Sequence, residues 1–393
     1  MDGLALRPNI ATPIQCAAHV AELVDAADSK SAIRKDVKVR FLSWAQVKSR
    51  SNLLRLFLFS PLMQILVIQT AFLGDVVLAT PVVEKLHRFF PEASIDFLLR
   101  KGNESLLKDH PFIRETIIWH KQEGKWKNVL KLIRRFRKTK YDYVINLQRF
   151  ATSGIITAFA GGKVSIGFDK NPLSFLFTQK ITHHIAAANE PTVHEVARNL
   201  MCIESFTDAS AQLPRLYPSV NDFEKVALLK AEPFITMAPA SVWFTKQYPK
   251  EKWVELIKAL NRRYTIYLLG APSDDALSNE IIALSGMPKV ENLCGKLSLL
   301  QSAALMQDAV MNYVNDSAPM HIASAMDAPV TAIYCSTIPG FGFGPSGTKG
   351  QIVEIDHQLS CRPCGLHGHK KCPEGHFKCG YEIKVEQLLE AID

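Results

Sequence analysis

Four short segments of this chain place chemically capable side chains directly behind apolar, strand-like runs and ahead of helical ones: Gly74-Asp75, Ser241 to Pro249 with Thr245-Lys246, Gly270 to Asp274, and Asp316-Ser317 with His321. In such a loop a glycine lets a ligand approach the backbone, and a carboxylate projects beyond the carboxyl end of the strand. Asp75 can serve there as an acceptor for a substrate proton, or as a cap on its own helix. The Ser241 loop offers hydroxyls, backbone N–H groups and one lysine, which together can hold a diphosphate without a metal. A solvated lysine is the plainer reading of Lys246. Asp316-Ser317 repeats the arrangement ahead of Pro319, with His321 on the first helical turn; an N-cap explains Asp316 equally well, and a lone helical histidine is commonly structural. Asp274 can accept hydrogen bonds from ribose hydroxyls or, again, cap its turn. What favours function is convergence, because Lys246, Asp274 and Asp316 follow three separate strands of one sheet edge. Neither G-x-G-x-x-G nor G-x-x-x-x-G-K-[ST] occurs, which argues against a standard dinucleotide enzyme or P-loop ATPase.

The elements that must position these groups alternate strand and helix from Met63 onward, the pattern of parallel sheets covered on both faces. Strands are predicted at 64–69, 94–99, 143–147, 234–238, 264–269, 309–314 and 330–334. Helices are predicted at 78–90, 250–263, 274–284, 299–307, 319–326 and 385–392, with Pro81 expected in a first turn or at a kink. Trp126, Val129, Leu130, Ile133 and Phe136 recur at helical spacing within a strongly basic stretch from Lys125 to Lys138. Residues 151–216 show less regular patterning. Leu213 to Asp222, with two prolines, is the expected hinge. The domains so predicted are 63–216 and 223–393, two doubly wound α/β halves facing a cleft.

Length and composition agree with two cores, since 393 residues at 47% apolar content exceed the usual single domain. The net charge of +8 does not by itself indicate nucleic acid, and no nucleic-acid partner is expected. Residues 1–62 hold nine Lys or Arg against five Asp or Glu, so half of the surplus lies there. Those 62 residues follow no sustained periodicity and read as an N-terminal extension. Their wording resembles a translation running through a transfer-RNA gene, which would make Met63 the start; a flexible or membrane-tethering arm is the alternative. No cleavable signal is visible, and the apolar stretch 53–73 is interrupted by Arg55, Pro61, Gln64 and Gln69. Four of the eight cysteines, Cys361, Cys364, Cys372 and Cys379, crowd the C-terminal region with His367, His369 and His376 between them. That composition suits a structural zinc site, with free thiols as the alternative.

Ile65 to Pro81, the Ser241 loop, the Gly270 loop and Tyr313 to Ala323 together resemble glycosyltransferase family 9, the ADP-heptose:lipopolysaccharide heptosyltransferases. The resemblance runs from Met63 to the C-terminus. It implies a GT-B fold with two Rossmann-like domains, an ADP-sugar held mainly by the second, and a lipid A core-type glycolipid acceptor. By position, Asp75 looks like the family's catalytic base, with Gly74 beside it, and Lys246 like its diphosphate lysine, with Ser241 and Thr245 in the same loop. Asp274 matches the ribose contact, and Asp316-Ser317 with His321 the turn at the phosphates. Asp275 could replace Asp274, and Ala318 stands where some members have glycine. The implied enzyme is cytoplasmic, peripheral to the inner membrane, inverting, and needs no cofactor for catalysis. Transfer from another nucleotide-sugar or to another glycan acceptor, and binding of nucleotide or glycolipid without turnover, are the competing readings.

Overall fold

The computed structural model describes residues 62–122, 124–186, 190 and 192–392. The reading of the N-terminal segment as an extension or misplaced start falls on residues 1–61, outside the described residues. The front lobe contains β1 (Gln64–Ile68), β2 (Ser94–Arg100), β3 (Glu115–Trp119), β4 (Tyr143–Asn146), β5 (Val164–Phe168) and β6 (Gln179–Ile181), with helices α1 (Leu73–Phe89), α2 (Lys125–Thr139), α3 (Ala151–Phe159) and α4 (Glu195–Met201). After α5 (Val220–Val226) the rear lobe supplies β7 (Phe234–Ala238), α6 (Lys250–Leu260), β8 (Thr265–Leu268), α7 (Asp275–Ser285), β9 (Val290–Asn292), α8 (Leu299–Gln307) and β10 (Met311–Asn315). It continues through α9 (Ala318–Ala325), β11 (Val330–Tyr334), β12 (Gly350–Glu354) and two short helices, α10 (Lys378–Tyr381) and α11 (Val385–Leu389).

The front sheet runs β3-β2-β1-β4-β5-β6 and the rear sheet β12-β11-β10-β7-β8-β9. Every pairing is parallel, with Ile65 opposite both Ile95 and Tyr143, and Tyr313 opposite Met237 and Thr331. Renumbered within its own lobe, the rear order is the same as the front order. Each lobe therefore has one topological switch point, between β1 and β4 and between β7 and β10, where ligands bind in open α/β sheets. The central strands are mostly apolar and almost wholly buried, as a sheet covered on both faces demands.

Helix α1 begins five residues before the predicted start, so Pro81 lies in its interior rather than in its first turn. Proline cannot donate to the carbonyl four residues back, that of Val77. The hydroxyl of Thr80 donates to that carbonyl at 2.8 Å instead. The Thr80 hydroxyl oxygen in turn accepts the Arg215 N–H at 3.1 Å, and the Tyr217 hydroxyl donates to the Glu84 carboxylate at 3.0 Å. The expected hinge thus lies along α1. An apolar cluster extends from Val76, Val82 and Leu86 of α1 to Leu305 of α8 and Met320 of α9. Residues 151–216, predicted irregular, carry α3, β5, β6 and α4; β6 has three residues and α3 includes Thr152, Gly154, Ile155, Ile156 and Thr157, poor helix formers that packing overrides.

Candidate functional site

Both switch points carry the charged residues. Asp75 sits in the first turn of α1, behind β1, and its Oδ2 accepts the N–H of Phe72 at 3.0 Å. That bond fixes the carboxylate without neutralising it. Burial, then the nearby Glu195 carboxylate, pushes the Asp75 pKa up to about 6, against the smaller opposing effects of backbone N–H groups and Arg149. Glu195 opens α4, where it is held by Arg198 Nε at 2.7 Å and lies 3.6 Å from His183 Nε2.

Gly74 marks where the two lobes touch. A β-carbon there would lie 2.8 Å from Cδ2 of His321 on α9, so only glycine allows the first turns of α1 and α9 to meet. His321 is buried, and its Nδ1 lacks a partner among the described residues. Burial, helped by the fields of His194 and Lys246, lowers its pKa to about 3, so the imidazole is neutral.

On the rear lobe, Lys246 Nζ lies 2.6 Å from Asp316 Oδ2, with the side chains 15% and 9% exposed. The Thr337 hydroxyl donates to the same oxygen at 2.6 Å. Ser317 occupies the N-cap position of α9, and its hydroxyl meets the Asn315 carbonyl at 3.3 Å. Ser241 is half-buried at the start of the loop, its carbonyl accepting from Gln247 Nε2 at 2.6 Å.

Thr245 and Asp274 are placed differently from the rest. Thr245 is buried, and its hydroxyl oxygen accepts the His369 N–H at 2.8 Å and the Ser336 hydroxyl at 3.0 Å. It fixes the backbone that carries Lys246. Asp274 accepts from the Ala271 N–H at 2.8 Å and the Ser273 hydroxyl at 3.1 Å, the capping arrangement. Asp275 is likewise engaged, with Asn279 and Asn292.

Three groups at the site went unnoticed in the sequence. Arg149 follows β4, the strand beside β1 at the front switch point, and its field reaches both Asp75 and His367. The strand-order rule would have pointed to it once β4 was seen to adjoin β1. Glu195 and His194 arise in the region predicted irregular. Cys364 Sγ donates to the Cys361 carbonyl at 3.1 Å, Cys372 Sγ accepts the Phe377 N–H at 3.4 Å, and Cys379 is buried. Among the described residues no group of three or more His, Cys, Asp or Glu is disposed to hold a metal ion.

Two Rossmann-like sheets of identical order, meeting through the first turns of α1 and α9 with an acid on one side and a lysine on the other, define a GT-B glycosyltransferase fold. The chain belongs to glycosyltransferase family 9 (heptosyltransferase), whose family model matches residues 129–376. It is 29% identical over 277 residues to lipopolysaccharide heptosyltransferase 3 of Escherichia coli strain K12, covering 67% of this chain and 80% of that protein. In fold it is similar to the E. coli ADP-heptose lipopolysaccharide heptosyltransferase II, with a TM-score of 0.67 and 22% identity over 84% of this chain and 97% of that one. A family 9 glycosyltransferase from Veillonella parvula gives a TM-score of 0.71 at 22% identity, covering 84% of this chain and 96% of that one.

Proposed function

We propose that this transferase moves heptose from ADP-heptose to the inner core of lipopolysaccharide, with inversion, at the cytoplasmic face of the inner membrane. The observation that carries the reading is the Gly74–His321 contact, which brings the Asp75 turn against the helix that follows Asp316 and Lys246. Family membership and the names of the relatives above support the sugar and the acceptor class.

The acceptor hydroxyl loses its proton to the Asp75 carboxylate as its oxygen bonds to the anomeric carbon. The bond from that carbon to the diphosphate oxygen breaks, and the diphosphate leaves with the electron pair. A carboxylate whose pKa is near 6 is a stronger base than an exposed aspartate, and the hydroxyl acidifies as the new bond forms. The developing charge on the leaving group falls to Lys246 and the N-terminal amides of α9, so transfer proceeds without a divalent ion. Lys246 is held ready by Asp316, and the donor's phosphates compete for it.

Helix α2 supplies the membrane side of the reading. Its buried face is Val129, Leu132 and Phe136, while Trp126 and Leu130 are 58% and 53% exposed beside Lys127, Lys131, Arg134 and Lys138. Exposed aromatic and aliphatic side chains among cations suit the interface of an anionic leaflet. Among the described residues no helix is long and apolar enough to cross a membrane.

One assay tests all of this: the full chain, in chelator, with ADP-heptose, UDP-sugars and GDP-sugars, and a rough lipopolysaccharide acceptor in vesicles with or without anionic lipid. Release of ADP with transfer of heptose, faster on anionic vesicles, is expected. Release of UDP or GDP would overturn the donor, loss of rate in chelator the metal independence, and equal rates on both vesicles the role of α2.

A further inference from the structure

The cysteine-rich segment 361–379 lies against the Lys246 loop at several points. Gly368 has φ +74°, and a β-carbon on it would meet Thr245 Oγ1 at 2.9 Å, Lys246 Cγ at 3.0 Å and Ser336 Oγ at 3.2 Å. The backbone of His369 clamps Thr245 in both directions, donating to its hydroxyl at 2.8 Å and accepting from its N–H at 3.1 Å. Cys364 N–H donates to the Ser336 carbonyl at 2.9 Å, and Ser336 N–H donates to the Thr245 carbonyl at 3.2 Å. Arg362 ties the start of the segment to the end of β11, with Nε donating to the Cys335 carbonyl at 2.7 Å and a terminal nitrogen donating to the Thr337 carbonyl at 2.8 Å. Thr337 is the residue whose hydroxyl holds Asp316. One segment therefore braces both partners of the Lys246–Asp316 pair.

His367 immediately precedes the glycine that packs on Lys246, and it is exposed. We propose that His367 is a ligand of the donor diphosphate, delivered by the cysteine-rich segment to the anion that Lys246 binds. The inference rests on the reading of Lys246 as the diphosphate lysine. Its electrostatics agree with an anion site. Burial, then the positive fields of Lys246 and Arg149, lower the His367 pKa, with Asp316 acting the other way. A phosphate entering among these groups reverses that balance and favours the imidazolium, which then donates a charge-assisted hydrogen bond. The histidines of the segment thus differ in setting. His367 adjoins Gly368, which packs on Thr245 and Lys246, His369 clamps Thr245 through its backbone, and His376 Nε2 lies 4.0 Å from Cys361 Sγ.

Calorimetric titration of the full chain with ADP and with adenosine tests the assignment, using His367→Ala, His367→Gln and Lys246→Ala. Loss of one charge-assisted hydrogen bond corresponds to roughly tenfold weaker binding. His367→Ala is expected to weaken ADP by that factor and leave adenosine unchanged, with His367→Gln in between and the thermal midpoint unmoved. Unchanged ADP affinity in both His367 variants, while Lys246→Ala weakens it, would overturn this inference alone. Equal loss for ADP and adenosine would also overturn it, by showing that the side chain only supports the fold. Undiminished ADP binding in Lys246→Ala, or no ADP binding by the unmodified chain, would remove the diphosphate reading beneath it.

Discussion

Two aspartates stand at the switch points of two sheets with the same strand order, yet the protein treats them in opposite ways. Asp75, on the front lobe, is stripped of solvent by burial and lies in the field of the Glu195 carboxylate, and these outweigh the backbone N–H groups that hold it, so its proton affinity rises. Asp316, on the rear lobe, is as deeply placed but receives Lys246 Nζ at 2.6 Å and the Thr337 hydroxyl at 2.6 Å. Standing at a switch point therefore does not set a carboxylate's role; its surroundings do. The first is arranged to take a proton and the second to hold a cation in place.

The strongest way to break this comparison is Asp75→Asn, which keeps the shape and the Phe72 bond site but cannot accept a proton at working pH. Loss of a positioned general base typically costs about 10²–10⁴ in rate. Turnover of Asp75→Asn should fall by roughly 10³ with donor affinity nearly unchanged, measured by steady-state kinetics and ADP titration; normal turnover would remove Asp75 from the mechanism. Stability sharpens the contrast, because the two substitutions should act with opposite sign. Asp316→Asn leaves the nearly buried Lys246 without its anion and should cost on the order of 3 kcal/mol, seen as a lowered thermal midpoint. Asp75→Asn should raise the midpoint at pH 7.5. Because folding raises the Asp75 pKa from its ordinary 3.8 to about 6, its ionisation opposes folding fully above pH 6 and not at all below pH 4. The gain from Asp75→Asn should therefore disappear as pH falls through that window.

Much of the candidate site's placement was legible in the sequence because it depends on position along the chain: a strand, then a glycine or hydroxyl, a charge, and a helix. Gly74, Asp75, Lys246, Asp316 and His321 follow that rule, and the structure gathers them. What could not be read from the chain depends on neighbours distant in sequence. Arg149 is significant only because β4 adjoins β1, and Thr245 is buried because residues 364–369 and Ser336 close over it. The contacts of the cysteine-rich segment with the Lys246 loop are likewise an association that no local pattern encodes. Residues 151–216 escaped prediction for a similar reason, since short β6 and the β-branched α3 take their form from the strands they pack against. The interior placement of Pro81 escaped too, because the hydroxyl of Thr80 repairs the bond that proline omits.

The acid side of the pH–rate profile tests the central claim most directly. With the unmodified enzyme, kcat/KM should fall about tenfold per pH unit below an apparent pKa near 6, and the residual rate of Asp75→Asn should lack that limb. A wild-type profile flat down to pH 4.5, or the same limb surviving in Asp75→Asn, would contradict Asp75 as the group that takes the acceptor's proton.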